Sequence, residues 1–174
     1  MIKELTRQNI PDINKPNQPF KIIGKIIPVF SGEAWSFSEH LYEEESEKLY
    51  PNDEEQWEDY IDNPDKTIFL YYDNADCVGQ VVLRKNWNKY AFIEDIAVAK
   101  SHRKNGIGAE LIQTTIEWAK AKGLFGVMLE TQDNNLLACR FYSKQGFKIG
   151  AVDTMLYANF DNADEKAVFW YKKF

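Results

Sequence analysis

Phe92-Ile93-Glu94-Asp95-Ile96-Ala97-Val98 is followed, after a short gap, by Arg103-Lys104-Asn105-Gly106-Ile107-Gly108-Ala109. The first run reads as a buried strand and the second as a loop that opens a helix. Leu111, Ile112, Thr115, Ile116 and Ala119 then repeat at helical spacing, and Gly123 stands where a C-terminal cap is needed. A helix over residues 108–122 follows. Its first turn offers unpaired backbone N–H groups at the positive end of the helix dipole, and the bare Cα atoms of Gly106 and Gly108 let a diphosphate approach them. The junction is a candidate phosphate cradle.

Spacing discriminates among glycine loops. A P-loop ends in Gly-Lys-Ser/Thr, whereas Ala109-Glu110 follow Gly108. A dinucleotide-binding turn needs a small residue three positions after its second glycine, and Leu111 occupies that position. The remaining pattern is R-x-x-G-x-G/A after a strand, filled by Arg103, Gly106 and Gly108. It resembles the acyl-CoA loop of the GNAT superfamily of N-acetyltransferases. Downstream, Asn135-x-x-Ala138-x-x-Phe141-Tyr142-x-x-x-Gly146-Phe147 resembles the second motif of that superfamily.

The flanking sequence supplies the other elements. Phe20 to Phe30 reads as an early strand that Pro28 limits to an edge or ends. Trp35 to Tyr60 is acidic and aromatic, with a helix expected over 54–61. Thr67 to Tyr72 and Val78 to Arg84 form a hairpin around Asp73-Asn74-Ala75-Asp76. Asn86 to Lys89 turns the chain into the strand Tyr90 to Val98. Val127 to Thr131 is a short buried strand, and Asn134 or Asn135 caps a second helix that ends before Gly146. Strand-like runs over 147–159 and 167–174 close the sheet as a hairpin. The expected fold class is α/β with a mixed sheet, and the whole of 1–174 is expected to be one domain. The resemblance implies a mostly antiparallel sheet with a central, splayed parallel strand pair, flanking helices and a cofactor-binding core over about 90–149.

The resemblance also implies roles. Backbone N–H groups near Ile96, Ala97 and Val98 would meet the pantetheine and acetyl carbonyl of acetyl-CoA, and an N–H fixed there would stabilise the oxyanion. Arg103, Lys104, Asn105, Gly106, Ile107, Gly108 and Ala109 would hold the pyrophosphate. Tyr142 would return a proton to the departing thiolate: a phenol of pKa ~10 stays protonated at neutral pH yet lies near the ~8.5 of a thiol. Asn135 would cap its helix or bond the pantetheine. An alkylammonium must lose a proton before it can attack, and Glu94 is the first candidate for base or amine anchor. Strand alternation gives Glu94 the parity of Ile96 and Val98 and turns Asp95 to the opposite face. The Glu-Asp pair resembles that of polyamine acetyltransferases.

Composition narrows the partners. A net charge of -6 argues against nonspecific nucleic-acid binding and favours cationic partners. Eleven acidic residues lie between Glu39 and Asp62, against Lys48 as the only Lys or Arg. Such a run is a solvated face or a steering surface for a polycation. Two cysteines, Cys77 and Cys139, are too few for a disulfide framework and read as buried thiols. His40 and His102 offer no metal pair, so no metal is expected. Nothing resembles a secretory signal or a membrane span, which makes a cytoplasmic protein the expectation. The aromatic C-terminus suits either a homodimer or closure of the core.

A longer resemblance joins 20–28, 83–88, 130–135 and 153–160 to the streptothricin acetyltransferases of the same superfamily. It implies acetyl transfer from acetyl-CoA to an amino group of the β-lysine moiety of streptothricin. Trp35, Trp57, Tyr90 and Tyr157, with Glu94 and Asp95, are the candidate substrate contacts. Polyamine or peptide amines are the alternative acceptors. A non-catalytic acyl-CoA-binding module is the alternative of another class.

Overall fold

A computed structural model describes residues 1–52 and 56–174. Its strands and α-helices, in chain order, are β1 (Ile2–Glu4), β2 (Phe20–Phe30), β3 (Trp35–Lys48), β4 (Lys66–Asp73), β5 (Asp76–Lys85), β6 (Ala91–Val98), α1 (Ile107–Ala121), β7 (Gly126–Gln132), α2 (Leu136–Lys144), β8 (Lys148–Asp153) and β9 (Ala167–Lys173). The chain divides into two compact units. One comprises Met1–Pro19 and Leu49–Val127, the other Phe20–Lys48 and Met128–Phe174.

In the first unit β1, β4, β5 and β6 pair antiparallel in that order. The hairpin of β4 and β5 closes at Asp73 and Asp76, with Asn74 in the left-handed region at φ 53°. Asn tolerates that conformation because its short side chain bonds locally. One face of this sheet covers a core of Leu5, Ile13, Tyr60, Ile68, Leu70, Tyr72, Cys77 and Val82, against which Ile10, Trp57 and Ile61 pack. Helix α1 buries Ile107, Leu111, Ile112, Thr115, Ile116, Trp118 and Ala119, the apolar stripe expected from its spacing.

Gly79 sets how closely α1 approaches β5. A Cβ built there would lie 2.9 Å from Cγ2 of Ile107 and 3.3 Å from Cδ1 of Leu111. The first turn of the helix therefore rests on bare backbone.

In the second unit β2 and β3 form a long antiparallel hairpin, from Phe30 opposite Trp35 to Phe20 opposite Lys48. β3 takes up most of the acidic and aromatic stretch, where the sequence pattern predicts no strand. Its run of glutamates has weak strand propensity and shows no alternation, since both faces are mostly exposed. Pairing with β2 overrides both signals. β2 runs two residues past Pro28. The expected helix over 54–61 lies partly outside the described residues; Trp57–Tyr60 within it is a 3-10 turn.

Helix α2 packs on β2 and buries its own Leu136, Cys139 and Tyr142. β8 and β9 pair antiparallel, as expected. The run 155–159 is turns rather than strand, because Oδ1 of Asp153 accepts from the N–H groups of Met155 and Leu156 at 2.7 and 3.0 Å and bends the chain at once. Both thiols are buried, and burial pushes Cys77 up to about 11 and Cys139 to about 12.

Filling the Gly79 site should be felt at the helix N-terminus. Gly79→Ala is expected to lower stability by about 1–3 kcal/mol in urea unfolding. Acetyl-CoA affinity should fall with it, since Ile107 must move; unchanged stability and affinity would contradict this account of the packing.

Candidate active site

The glycine loop meets α1 as expected. Gly106 is its N-cap residue at φ 88°, a conformation that strains any residue with a Cβ, and a Cβ there would meet nothing within 4 Å. The space above it is open. The carbonyl of Gly106 accepts from the N–H groups of Ala109 and Glu110 at 2.9 and 3.1 Å. The N–H groups of Ile107 and Gly108 precede any intrahelical acceptor by the geometry of a helix start. Lys104, at φ 67°, Asn105 and Gly106 are exposed. Glycine at the cap, open space and orphan donors together suit a phosphate group.

Arg103 behaves differently from a simple surface charge. Its Nε donates to the carbonyl of Val98, Nη1 to that of Pro19 and Nη2 to that of Gln18, each at 2.8 Å. One guanidinium thus ties the end of β6 to the N-terminal segment. The backbone N–H of Lys100 donates to Oε1 of the same Gln18 at 2.8 Å. Ile96, Ala97 and Val98 pair with Val81, Gln80 and Gly79 of β5.

The acidic pair lies at a β-bulge. Val82 pairs with Asp95 but Leu83 with Ile93, so Glu94 is the extra residue. Alternation breaks at that point. Glu94 and Asp95, expected on opposite faces, line one cleft of about 80 Å³ together with Asn14, Asn17, Pro51, Trp57, Tyr60 and Val82. Oε1 of Glu94 accepts from Nε of Arg84 at 2.7 Å, and Oε2 accepts from the hydroxyl of Tyr60 at 2.9 Å. Oδ2 of Asp95 accepts from Nε2 of Gln80 at 2.6 Å. Two oriented carboxylates beside the Trp57 and Tyr60 rings have the chemistry that suits an ammonium group.

In the second unit Tyr142 is 6% exposed and packs against Phe141, Phe147 and Trp170, with ring centroids at 5.3, 5.9 and 6.3 Å. Oδ1 of Asn135 accepts from the N–H of Ala138 at 3.2 Å, the capping arm of the two expectations for this residue. Tyr157 lies in the turn segment before β9 and donates its hydroxyl to Oε1 of Glu130. Burial raises the Glu130 carboxyl above its usual range, while that hydrogen bond opposes the rise.

The remaining candidates lie elsewhere. Trp35 stands at the tip of the β2 and β3 hairpin, 5.2 Å from the ring of Phe30. Tyr90 closes the turn before β6, its carbonyl accepting from the N–H of Asn86 at 2.8 Å. Neither lines the acidic cleft.

Sequence reasoning missed Tyr60, Arg84 and Gln80. Tyr60 reaches Glu94 across 34 positions, and no local pattern announces such a pairing. Arg84 and Gln80 carried a signal: a strand that follows a short turn returns opposite its predecessor, so charged or amide residues in Val78 to Arg84 were candidates to face Glu94 and Asp95. The expected steering role of the acidic run falls partly outside the described residues at Asp53, Glu54 and Glu55. Elsewhere the run is partly paired: Glu39 binds Arg140 and Glu45 binds Lys21 at 2.6 Å. Among the described residues no three His, Cys, Asp or Glu side chains gather as a metal-binding group, and no helix is long and apolar enough to cross a membrane.

Comparison with known proteins shows what the chain is similar to. The model of the acetyltransferase (GNAT) family matches residues 33–147. Over all 174 residues the chain is 49% identical to streptothricin acetyltransferase A of Bacillus subtilis (strain 168), covering 100% of both chains. A streptothricin acetyltransferase of Escherichia coli is 37% identical over 118 residues, 65% of this chain and 68% of that one. Among solved structures, a Bacillus anthracis str. Ames protein described as a streptothricin acetyltransferase, in complex with acetyl coenzyme A, superposes with a TM-score of 0.93 at 34% identity, covering 100% of this chain and 99% of that one. A nourseothricin acetyltransferase superposes at 0.83 with 25% identity, covering 99% and 97%.

The Arg103 clamp is testable apart from catalysis. A lysine cannot supply three N–H groups in one plane, so Arg103→Lys is expected to cost about 1–3 kcal/mol in urea unfolding. A variant as stable as the wild type would show that the three carbonyl contacts contribute little.

Proposed function

The chain belongs to the acetyltransferase (GNAT) family, and on that premise we propose that it transfers acetyl from acetyl-CoA to an amino group of the β-lysine moiety of streptothricin. The fold is the family's mixed sheet, one parallel strand pair with otherwise antiparallel neighbours, and two helices. As a family member the chain is an acetyl-CoA-dependent N-acetyltransferase.

One observation carries the choice of acceptor: the bulge at Glu94 turns two carboxylates into a single cleft edged by Trp57 and Tyr60. The alkylammonium arm of a β-lysine has the charge and cross-section that this cleft suits. The full-length identity of 49% to a streptothricin acetyltransferase supports the same reading. The free volume of about 80 Å³ fits an aminoalkyl end rather than a whole antibiotic, so the rest of the acceptor stays outside it.

The residues divide the work as follows. The N–H groups at the start of α1, beside Lys104, Asn105 and Gly106, hold the pyrophosphate of acetyl-CoA. Glu94 and Asp95 bind the ammonium, and Glu94, held by Arg84 and Tyr60, takes its proton directly or through water. The amine nitrogen then attacks the thioester carbonyl, and backbone N–H groups of Ile96 to Val98 stabilise the oxyanion. Tyr142 protonates the departing thiolate. Residues 1–174 act as one catalytic domain, in the cytoplasm where acetyl-CoA is made, with no need of nucleic acid or membrane; the exposed aromatic Phe174 leaves a homodimer compatible with this reading.

Purified protein with acetyl-CoA and streptothricin is expected to release free CoA thiol and to yield mono-acetylated antibiotic by mass spectrometry. Absence of both products would sink the assignment, and acetylation of spermidine instead would move it to polyamines. Tyr142→Phe should lose at least tenfold in kcat while acetyl-CoA binding is retained. Full activity of that variant would remove Tyr142 from the chemistry.

A further inference from the structure

Gln80 is a fully buried amide on β5, 0% exposed, and its hydrogen bonds are directed at the acidic cleft. Burying an amide is unfavourable unless its donors and acceptor are met. Its Oε1 accepts from the backbone N–H of Asn14 at 2.7 Å. Its Nε2 donates to Oδ2 of Asp95 at 2.6 Å and to Oδ1 of Asn14 at 3.2 Å. Asn14 itself lines the cleft, in a left-handed turn at φ 68°. One side chain therefore orients a carboxylate on β6 and a turn of the N-terminal segment.

This matters because the bulge brings a second carboxylate to the cleft, and two adjacent carboxylates each need an orienting donor. Asp95, opposite Val82, is the last residue in register before the extra residue Glu94, so pleat alternation puts it on the face of Gln80 and Val82 but leaves its carboxylate to be oriented within that face. Glu94 is held by Arg84 of β5 and by the buried Tyr60. Asp95 is held by Gln80, also of β5.

Resting on the reading of this cleft as the amine site, we propose that Gln80 is a positioning residue: its carboxamide aims Asp95 at the incoming ammonium and locks the Asn14 turn that forms the cleft wall. Gln80 touches neither acetyl-CoA nor the amine and acts through Asp95 and Asn14. Its contribution belongs to amine recognition rather than to cofactor binding. Every hydrogen bond invoked lies within the first unit.

Two volume-matched substitutions separate this role from simple packing. Gln80→Met removes both polar ends. Gln80→Glu keeps an oxygen acceptor for the Asn14 N–H but turns a carboxylate toward Asp95, where the donor was. For both variants the KM for streptothricin should rise at least tenfold, with the KM for acetyl-CoA within twofold of wild type. Gln80→Glu should be no better than Gln80→Met. In an Asp95→Asn background the Gln80→Met substitution should add less than threefold, because its target is already altered. Wild-type kinetics in Gln80→Glu would overturn the proposal, since the donor to Asp95 would be immaterial. So would an equal loss of amine and acetyl-CoA affinity, or full additivity with Asp95→Asn. If the wild type leaves streptothricin unmodified, the acceptor assignment fails separately, and calorimetric titration of spermidine then decides. At least tenfold weaker binding to Gln80→Met than to wild type upholds the positioning role; equal binding, or none to the wild type, overturns it.

Discussion

The acidic cleft depends on one extra residue between β5 and β6. Pairing runs in register from Gly79 opposite Val98 to Val82 opposite Asp95, then resumes one position displaced with Leu83 opposite Ile93. A regular strand would have put Glu94 and Asp95 on opposite faces, one of them away from the cleft. The bulge puts both on its wall, where each needs an oriented donor: Arg84 and Tyr60 for Glu94, Gln80 for Asp95. Trp57 and Tyr60, packed on the core of the same unit, then have a charged pair to flank.

The same two strands serve the glycine loop. Gly79, at the far end of the β5 and β6 pairing, lets the first turn of α1 rest on backbone, and Arg103 fastens the strand end to the N-terminal segment through three carbonyls. Close packing and directional hydrogen bonds thus brace the helix start where its unpaired N–H groups face open space. Rigid support is what a binding site made of backbone donors requires, since no flexible side chain can correct an error in its placement.

Much of the fold was legible because its signals are local. Alternation and turn residues marked β4, β5 and their turn, the 3.6-residue stripe marked α1, and Asn135 announced α2. Elements specified by distant partners were not legible. β3 exists because β2 pairs with it, despite a glutamate-rich sequence with little strand propensity. The parity assigned to Glu94 and Asp95 failed for a related reason: a bulge depends on the register of two strands, which neither strand reveals alone.

By itself the sequence determined the chemistry available: a glycine-capped helix start, an adjacent acidic pair, a tyrosine in an Asn-x-x-Ala-x-x-Phe-Tyr frame and a negative net charge suited to cationic partners. Residue identity and short-range spacing suffice for these, because caps, turns and helical stripes are decided within a few residues. Only the tertiary structure decided which groups act together. It gave Arg103 to backbone carbonyls, enclosed Tyr142 among aromatic rings, and brought Tyr60 and Gln80 to the two carboxylates. Hydrogen bonds between residues far apart in the chain form only when packing brings donor and acceptor within about 3 Å, and no local spacing encodes that distance.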